Sequence, residues 1–123
     1  GENNQLNGKV KSINGETCVV ETDTGENIKA LKINVRNVGD NSLISLRPER
    51  VYINSKDKFD NNFDAKVKEL IYLGDHIRTR LEICGNDQFI VKVPNSHMGL
   101  KLSEGNSVKL SWKTEDSRAL EAR

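Results

Sequence analysis

Short runs of Val, Ile, Leu and Thr, each closed by a turn signal, set the pattern of this chain. Asn14-Gly15, Thr24-Gly25, Gly39-Asp40-Asn41, Gly85-Asn86-Asp87 and Gly105-Asn106 punctuate it. Such residues take positive φ, or hydrogen-bond their own backbone, at little steric cost. Apolar runs recurring about every ten to fifteen residues are what a sandwich or barrel of short strands produces. Alternation predicts a hairpin of residues 6–12 and 17–22 around Asn14-Gly15, then strands over 27–35, 43–46 and 51–53, the last two separated by Arg47-Pro48. Residues 54–62, rich in Asn, Asp and Lys, read as a loop.

The clearest hairpin is 76–83 against 88–93. Ile77, Thr79, Leu81 and Ile83 share one face of the first strand, and His76, Arg78, Arg80 and Glu82 share the other, because successive side chains alternate across a strand. Phe89, Val91 and Val93 continue the apolar face, and Pro94 ends the pairing for want of an N–H. In 107–112, Val108, Leu110 and Trp112 face inward, which makes Trp112 a core residue. The stretch 63–73 contains good helix formers, yet Phe63, Ala65, Val67 and Glu69 alternate, and the neighbourhood is all strand. It is predicted as strand. The charged tail from Lys113 is expected to fray beyond Ala119-Leu120. The sum is an all-β chain of about eight to ten short, mostly antiparallel strands with under about one-tenth helix.

Composition narrows this further. A length of 123 residues implies one domain, within which two small interleaved sub-barrels, about 1–53 and 54–123, are expected. Only 35% of residues are hydrophobic and the mean hydropathy is −0.63, so the core is modest and a sheet with one wet face suits it. Nineteen basic residues against eighteen acidic ones leave a net charge of +1, far from the footprint of a general nucleic-acid binder. No apolar run is long enough to span a bilayer and no signal-peptide pattern opens the chain, so a soluble domain is expected. Cys18 and Cys84 lie in apolar runs and are expected to be reduced, packed thiols.

Catalytic constellations are missing from the sequence. A phosphate-binding loop needs Gly-x-x-x-x-Gly-Lys followed by Ser or Thr, whereas Gly8-Lys9 is followed by Val10. His76 and His97 stand alone, without a second His at zinc-ligand spacing. There is no Gly-x-Ser-x-Gly elbow. Asp57 and Asp60 lie near Asn61 and Asn62, but the turn Gly and closing Glu of a calcium loop are absent. No catalytic residue, metal site or cofactor site is expected.

Ser45-Leu46-Arg47-Pro48-Glu49-Arg50-Val51, with Tyr52-Ile53 behind it, resembles the Leu-Arg-Pro-Glu segment of the transport-associated OB-type (TOBE) domains that follow the ATPase domain in ATP-binding subunits of ABC importers. Tyr72-Leu73-Gly74-Asp75-His76-Ile77-Arg78 resembles the family's strand-turn-strand segment. Gly105-x-x-Val108-x-Leu110-x-Trp112, Glu115-Asp116 and Ala119-Leu120 resemble its closing strand and tail, and Gly1-Glu2-Asn3-Asn4 the junction from the ATPase domain.

The resemblance implies an OB-like fold and a non-enzymatic regulatory domain, cytoplasmic and peripheral to the inner membrane. ATP and Mg would belong to the parent subunit. Its partners would be its own ATPase domain, a second copy of the subunit and, indirectly, the membrane permease. The imported solute would be a polyamine, iron or a sugar, with the polyamine branch closest through Gly-Asp-His-Ile-Arg.

Arg47, Pro48 and Glu49 carry the family signature and read as structural, with Pro48 fixing a corner and Arg47 or Glu49 pairing locally. His76, Arg78 and Arg80 form a basic stripe for a partner or an anion, or simply a solvated face. Charge reversal at Arg78 and Arg80 would then be neutral to folding. A second reading is an OB-type binding module for nucleic acid, oligosaccharide or a small oxyanion. Aromatics make up only 5% and mostly face inward, which argues against single-strand platforms, so no nucleic-acid partner is expected.

Overall fold

The computed structural model describes residues 2–95 and 101–122. It is all-β and OB-like, with 61% of residues in strands and 5% in helix. The first five strands in the chain are β1 (Asn4–Asn14), β2 (Thr17–Thr22), β3 (Asn27–Lys32), β4 (Asn41–Leu46) and β5 (Tyr52–Ile53). They are followed by β6 (Asn61–Tyr72), β7 (His76–Ile83), β8 (Asn86–Pro94), β9 (Ser107–Trp112) and β10 (Ser117–Glu121). One group closes into a barrel in the order β1-β2-β3-β10-β4, and the other forms a sheet in the order β5-β9-β6-β7-β8.

The barrel closes because β1 is long enough to serve two neighbours. It pairs antiparallel with β2 along one part and with β4 along another, and a bulge between Val10 and Ser12 bends it between them. Gly8 sits where the strands crowd. A Cβ there would lie 2.3 Å from the backbone oxygen of Glu21. Leu6, Val10, Val20, Ile28, Ile44, Leu46 and Ala119 fill the interior.

Closure depends on the chain's end. β10 pairs antiparallel with β4 and parallel with β3. The strand ends at Glu121, one residue beyond the Ala119-Leu120 pair after which fraying was expected, and Ala119 is fully buried. β3 is shorter than expected. It stops at Lys32, where its pairing with β10 runs out at Ala119↔Lys32, and Ile33 is left exposed.

The second sheet is made of β6 to β9 with β5 at its edge, beside β9. The stretch expected as a strand over 63–73 is one, as its alternation and not its helix formers indicated, but β6 begins at Asn61, two residues inside the expected loop, and ends at Tyr72. Trp112, fully buried, packs between Phe63 and Phe89 at ring-centroid distances of 5.2 and 6.1 Å. The β7–β8 turn lies one residue earlier than expected. Ile83 pairs with Asn86, so Cys84 and Gly85 are the turn residues, at φ 50° and 76°. Positive φ at both positions is what a two-residue hairpin turn matching the strand twist demands. Cys84 is thus a turn residue rather than a strand residue, while Cys18 is a buried thiol of the barrel; both are free.

Two buried asparagines join barrel to sheet through both ends of their amides. Asn4 of β1 donates through Nδ2 to the Ile90 carbonyl (2.7 Å) and accepts at Oδ1 from the Ile90 N–H (2.8 Å). Asn61 of β6 does the same to Lys29 of β3, at 2.9 and 2.8 Å. A side-chain amide has the donor and acceptor of a peptide unit, so each asparagine continues a backbone ladder that has no strand beside it. The indole of Trp112 donates to Ser117 Oγ (3.2 Å), and Ser117 donates to the Lys29 carbonyl (2.7 Å). This links the sheet core to β10.

Candidate functional site

The signature corner is built by proline geometry. Arg47 is extended at φ −76°, ψ 136°, as the residue before a proline must be. Pro48 opens a 3₁₀ turn, Pro48–Arg50, where its missing N–H is no loss. The Arg50 N–H closes the turn on the Arg47 carbonyl at 3.0 Å. Pro48 is buried, while Arg47, Glu49 and Arg50 are exposed. The corner carries the chain out of the barrel into β5, where Tyr52 stacks on Phe59 at 5.1 Å. Among the described residues neither Arg47 nor Glu49 has an ion pair. Pro48 packs inside the corner, and its two neighbours point away from it. Their side chains line an open groove of about 910 Å³ with Asn3, Tyr52, Asp116 and Arg118.

The second candidate is the outer face of β7 and β8. His76, Arg78 and Arg80 are half-buried rather than free in solvent, with side chains 24%, 29% and 27% exposed. Each has a polar partner. His76 Nδ1 lies 2.7 Å from Asp75 Oδ1. Arg80 faces Glu69 at 3.5 Å and donates to the Asp87 carbonyl at 2.8 Å. Arg78 grips Glu2 with both arms, Nε to Oε1 at 3.2 Å and Nη2 to Oε2 at 2.6 Å. Lys92, directly across from Arg78, adds a third contact at 3.8 Å.

The arrangement is a carboxylate clamp, the paired geometry in which guanidinium groups bind planar anions best. The bond from Arg78 pulls the Glu2 carboxyl below its usual value, and Glu2 in turn raises the Arg78 value further. The bond to His76 likewise lowers Asp75.

His76, Arg78 and Arg80 lie on one face of β7, and what meets them there leaves no trace in the local sequence. Glu2, Glu69 and Lys92 become members of the site only through pairing across strands and across the whole chain. The same entry segment reaches three places at once, with Glu2 in the clamp, Asn3 in the corner groove and Asn4 on β8. Asp60 of the loop accepts from Thr114 N–H (3.0 Å) and Oγ1 (2.9 Å) and so anchors the 3₁₀ turn Thr114–Asp116. The bonds from Thr114 lower its pKa. His97 lies outside the described residues.

The model of the TOBE domain family matches residues 44–120, a span that runs from β4 through the signature corner to β10. The chain belongs to the TOBE domain family. Similar proteins include the spermidine/putrescine import ATP-binding protein PotA of Trichodesmium erythraeum, 32% identical over 108 residues, which are 81% of this chain and 28% of that protein. The PotA of Roseobacter denitrificans is 29% identical over 103 residues, 84% of this chain and 28% of its own length. A PotA of Pseudomonas aeruginosa aligns with 99% of this chain at 27% identity, over 35% of its own length. This TOBE chain therefore spans about a third or less of the relatives it matches. Among solved structures, the cytoplasmic molybdate-binding protein ModG with molybdate bound shares the fold, with a TM-score of 0.76 at 16% identity over 97% of this chain and 96% of that one.

Proposed function

We propose that this chain is the accessory and regulatory β-domain of the ATP-binding subunit of a polyamine-type ABC importer, with ATP and Mg bound and hydrolysed elsewhere in the same subunit. One observation carries the reading. Proteins named as spermidine/putrescine import ATP-binding proteins align with 81% to 99% of this chain, yet the chain spans only 28% to 35% of them. The remaining length is room for an ATP-binding domain. The chain's own sequence adds support, because it lacks a phosphate-binding loop. Its partners would be that ATP-binding domain, a second subunit and, through them, a membrane permease at the inner face of the membrane. No helix among the described residues is long and apolar enough to cross a membrane.

The test is the coding sequence upstream of Gly1, where an ATP-binding domain in frame is expected and an unrelated sequence would overturn the reading. Calorimetric titration of the isolated chain with Mg-ATP should show no binding. Micromolar affinity would remove the division of labour.

One feature favours a second reading, a module for small oxyanions: Arg78 and Lys92 already hold a carboxylate between them. If an oxyanion uses this place, Glu2→Gln should strengthen binding of sulfate or molybdate in titration, by vacating the clamp. Silence of both proteins toward both ions would end that reading.

A further inference from the structure

The fold takes hold of the entering chain at Asn4, not before it. Asn4 is buried, with both ends of its amide on Ile90 of β8. Glu2 and Asn3 run ahead of β1. Among the described residues, the only hydrogen bonds these two make are those of the Glu2 carboxylate to Arg78. That carboxylate is a single fastening on the solvent side of a fixed hinge. Its side chain is 41% exposed, and exposed ion pairs contribute little to stability. The fastening can therefore open while Asn4 keeps β1 in place.

The seat does not depend on its occupant. Arg78 and Lys92 stand directly across from each other on β7 and β8, and paired residues share a face of a sheet. Both are half-buried, so the strands hold the two cations together whether or not Glu2 lies between them. The charges there do not balance. Asp75 meets His76 and Glu69 meets Arg80. Arg78 and Lys92 share the one carboxylate of Glu2, at 2.6 and 3.8 Å. Two positive charges thus face one negative charge. A divalent oxyanion would neutralise both, and it could meet the guanidinium fork with two oxygens as Glu2 does.

We propose that Glu2 is a resident substitute for an external divalent oxyanion of the sulfate class, so that anion and entry segment compete for Arg78 and Lys92 and the bound anion releases the chain ahead of Asn4. This rests on the second reading above, in which an oxyanion uses the clamp, and adds that its arrival is felt at the junction where the chain enters the domain. The coupling runs both ways. The anion loosens the entry segment by the same factor by which a fastened entry segment weakens the anion.

The experiment is nitrogen-15 relaxation on the labelled 123-residue chain, titrated with sodium sulfate and, in parallel, with sodium chloride at equal ionic strength. The chloride arm is needed because salt alone screens exposed charges. Sulfate is expected to give the amides of Glu2 and Asn3 the fast motion of a free terminus while Asn4 and Ile90 stay rigid, and chloride is expected to leave all four rigid. Glu2→Gln should leave the first two amides mobile from the start and tighten sulfate binding several-fold, since apparent affinity falls with the fraction of sites already closed. Equal loosening by chloride would overturn the proposal. Sulfate bound with Glu2 and Asn3 still rigid, or bound no more tightly by Glu2→Gln, would overturn the competition and keep the oxyanion reading. Sulfate that binds neither the native chain nor Glu2→Gln would overturn both.

Discussion

Asn61 sits at 1% exposure with both ends of its amide on the backbone of Lys29. Its removal would leave a backbone N–H without a partner at the junction of barrel and sheet. A buried group stripped in this way costs about 1–3 kcal/mol, so Asn61→Ala should lower stability by about 2 kcal/mol, read as a lower urea midpoint. Asn61→Asp should cost at least as much, since it keeps the acceptor, loses the donor and buries a charge. An unchanged midpoint for both would mean that the staple adds nothing. Gly8→Ala meets a different obstacle, the Glu21 carbonyl oxygen 2.3 Å from the new methyl. The strands must part, at roughly 1–3 kcal/mol, and equal stability would show that they yield freely.

At Cys84, burial first and then the neighbouring Glu26 charge push the thiol up to about 12 from 9.0. The folded chain should therefore react slowly with iodoacetamide at pH 8 and quickly once unfolded in urea, since the thiolate is the nucleophile. Rapid folded-state alkylation at Cys84, located by mass spectrometry, would contradict the geometry. Arg78→Glu also changes meaning in the structure. A carboxylate there would face Glu2 rather than water, so the substitution should loosen the entry segment, where the solvated stripe of the sequence reading predicted no effect.

Among the elements, β10 has the most leverage for its length. Its five residues complete a barrel whose other strands come from the first 46 residues, and without it β3 and β4 become open edges. Truncation after Lys113 should abolish near-UV signal from Trp112, which loses Ser117 beside its indole, and should leave a chain prone to aggregate through those edges. A soluble truncated chain with an unchanged Trp112 spectrum would show that the barrel closes without its last strand.

The difficulty of reading this strand from sequence has a physical cause. Ser117-Arg118-Ala119-Leu120-Glu121 has little apolar content of its own and becomes a strand because β3 and β4 lie on either side. By contrast β7 needed no distant information. Its alternation from His76 to Ile83 encodes both faces, and its observed bounds agree with the predicted ones. The asparagines are the opposite case. Asn residues signal turns in sequence, as Asn14 does before Gly15, but Asn4 and Asn61 act as detached peptide units against strands 86 and 32 residues away. For the same reason the site was half legible. Alternation aligned His76, Arg78 and Arg80, while Glu2, 76 residues from Arg78, left no local signal.

Across the whole molecule the titrating groups define a stability window. Glu2, Glu26, Asp40, Asp60 and Asp75 all have lowered values. For Glu26, burial raises the value, but bonds from Thr24 and Thr22 outweigh it. A carboxylate lowered in the folded state stabilises above its unfolded value and loses that contribution as pH falls through the folded one. Stability should thus decline as pH falls below the ordinary values of 4.5 for Glu and 3.8 for Asp. Cys84 acts at the other end. Its raised value favours the neutral thiol, so its contribution is lost as pH climbs from 9.0 toward about 12. Melting temperatures should plateau between these limits, and a maximum at pH 3 would refute the assignment.

Association is governed by the surface as a whole. With 30% charged residues and a net charge of +1, the surface is solvated almost everywhere, and its exposed apolar side chains are scattered. Among the described residues, Val38 lies between β3 and β4, Tyr52 is occupied by its stack on Phe59, and Ile71, Tyr72 and Leu73 are consecutive but alternate between the two faces of the β6 end. Persistent interfaces combine about 1,000 Å² or more with an apolar centre, and no described region offers both. The isolated chain should therefore scatter light as a monomer of 13.8 kDa at tens of micromolar, with at most weak dimerisation through the β6 end. If a weak dimer forms there, Tyr72→Ser with Leu73→Ser should abolish it without lowering the urea midpoint, because neither side chain belongs to the buried core. A tight dimer at micromolar concentration that survives both substitutions would place the self-association surface elsewhere and show that the charged surface is no bar to pairing.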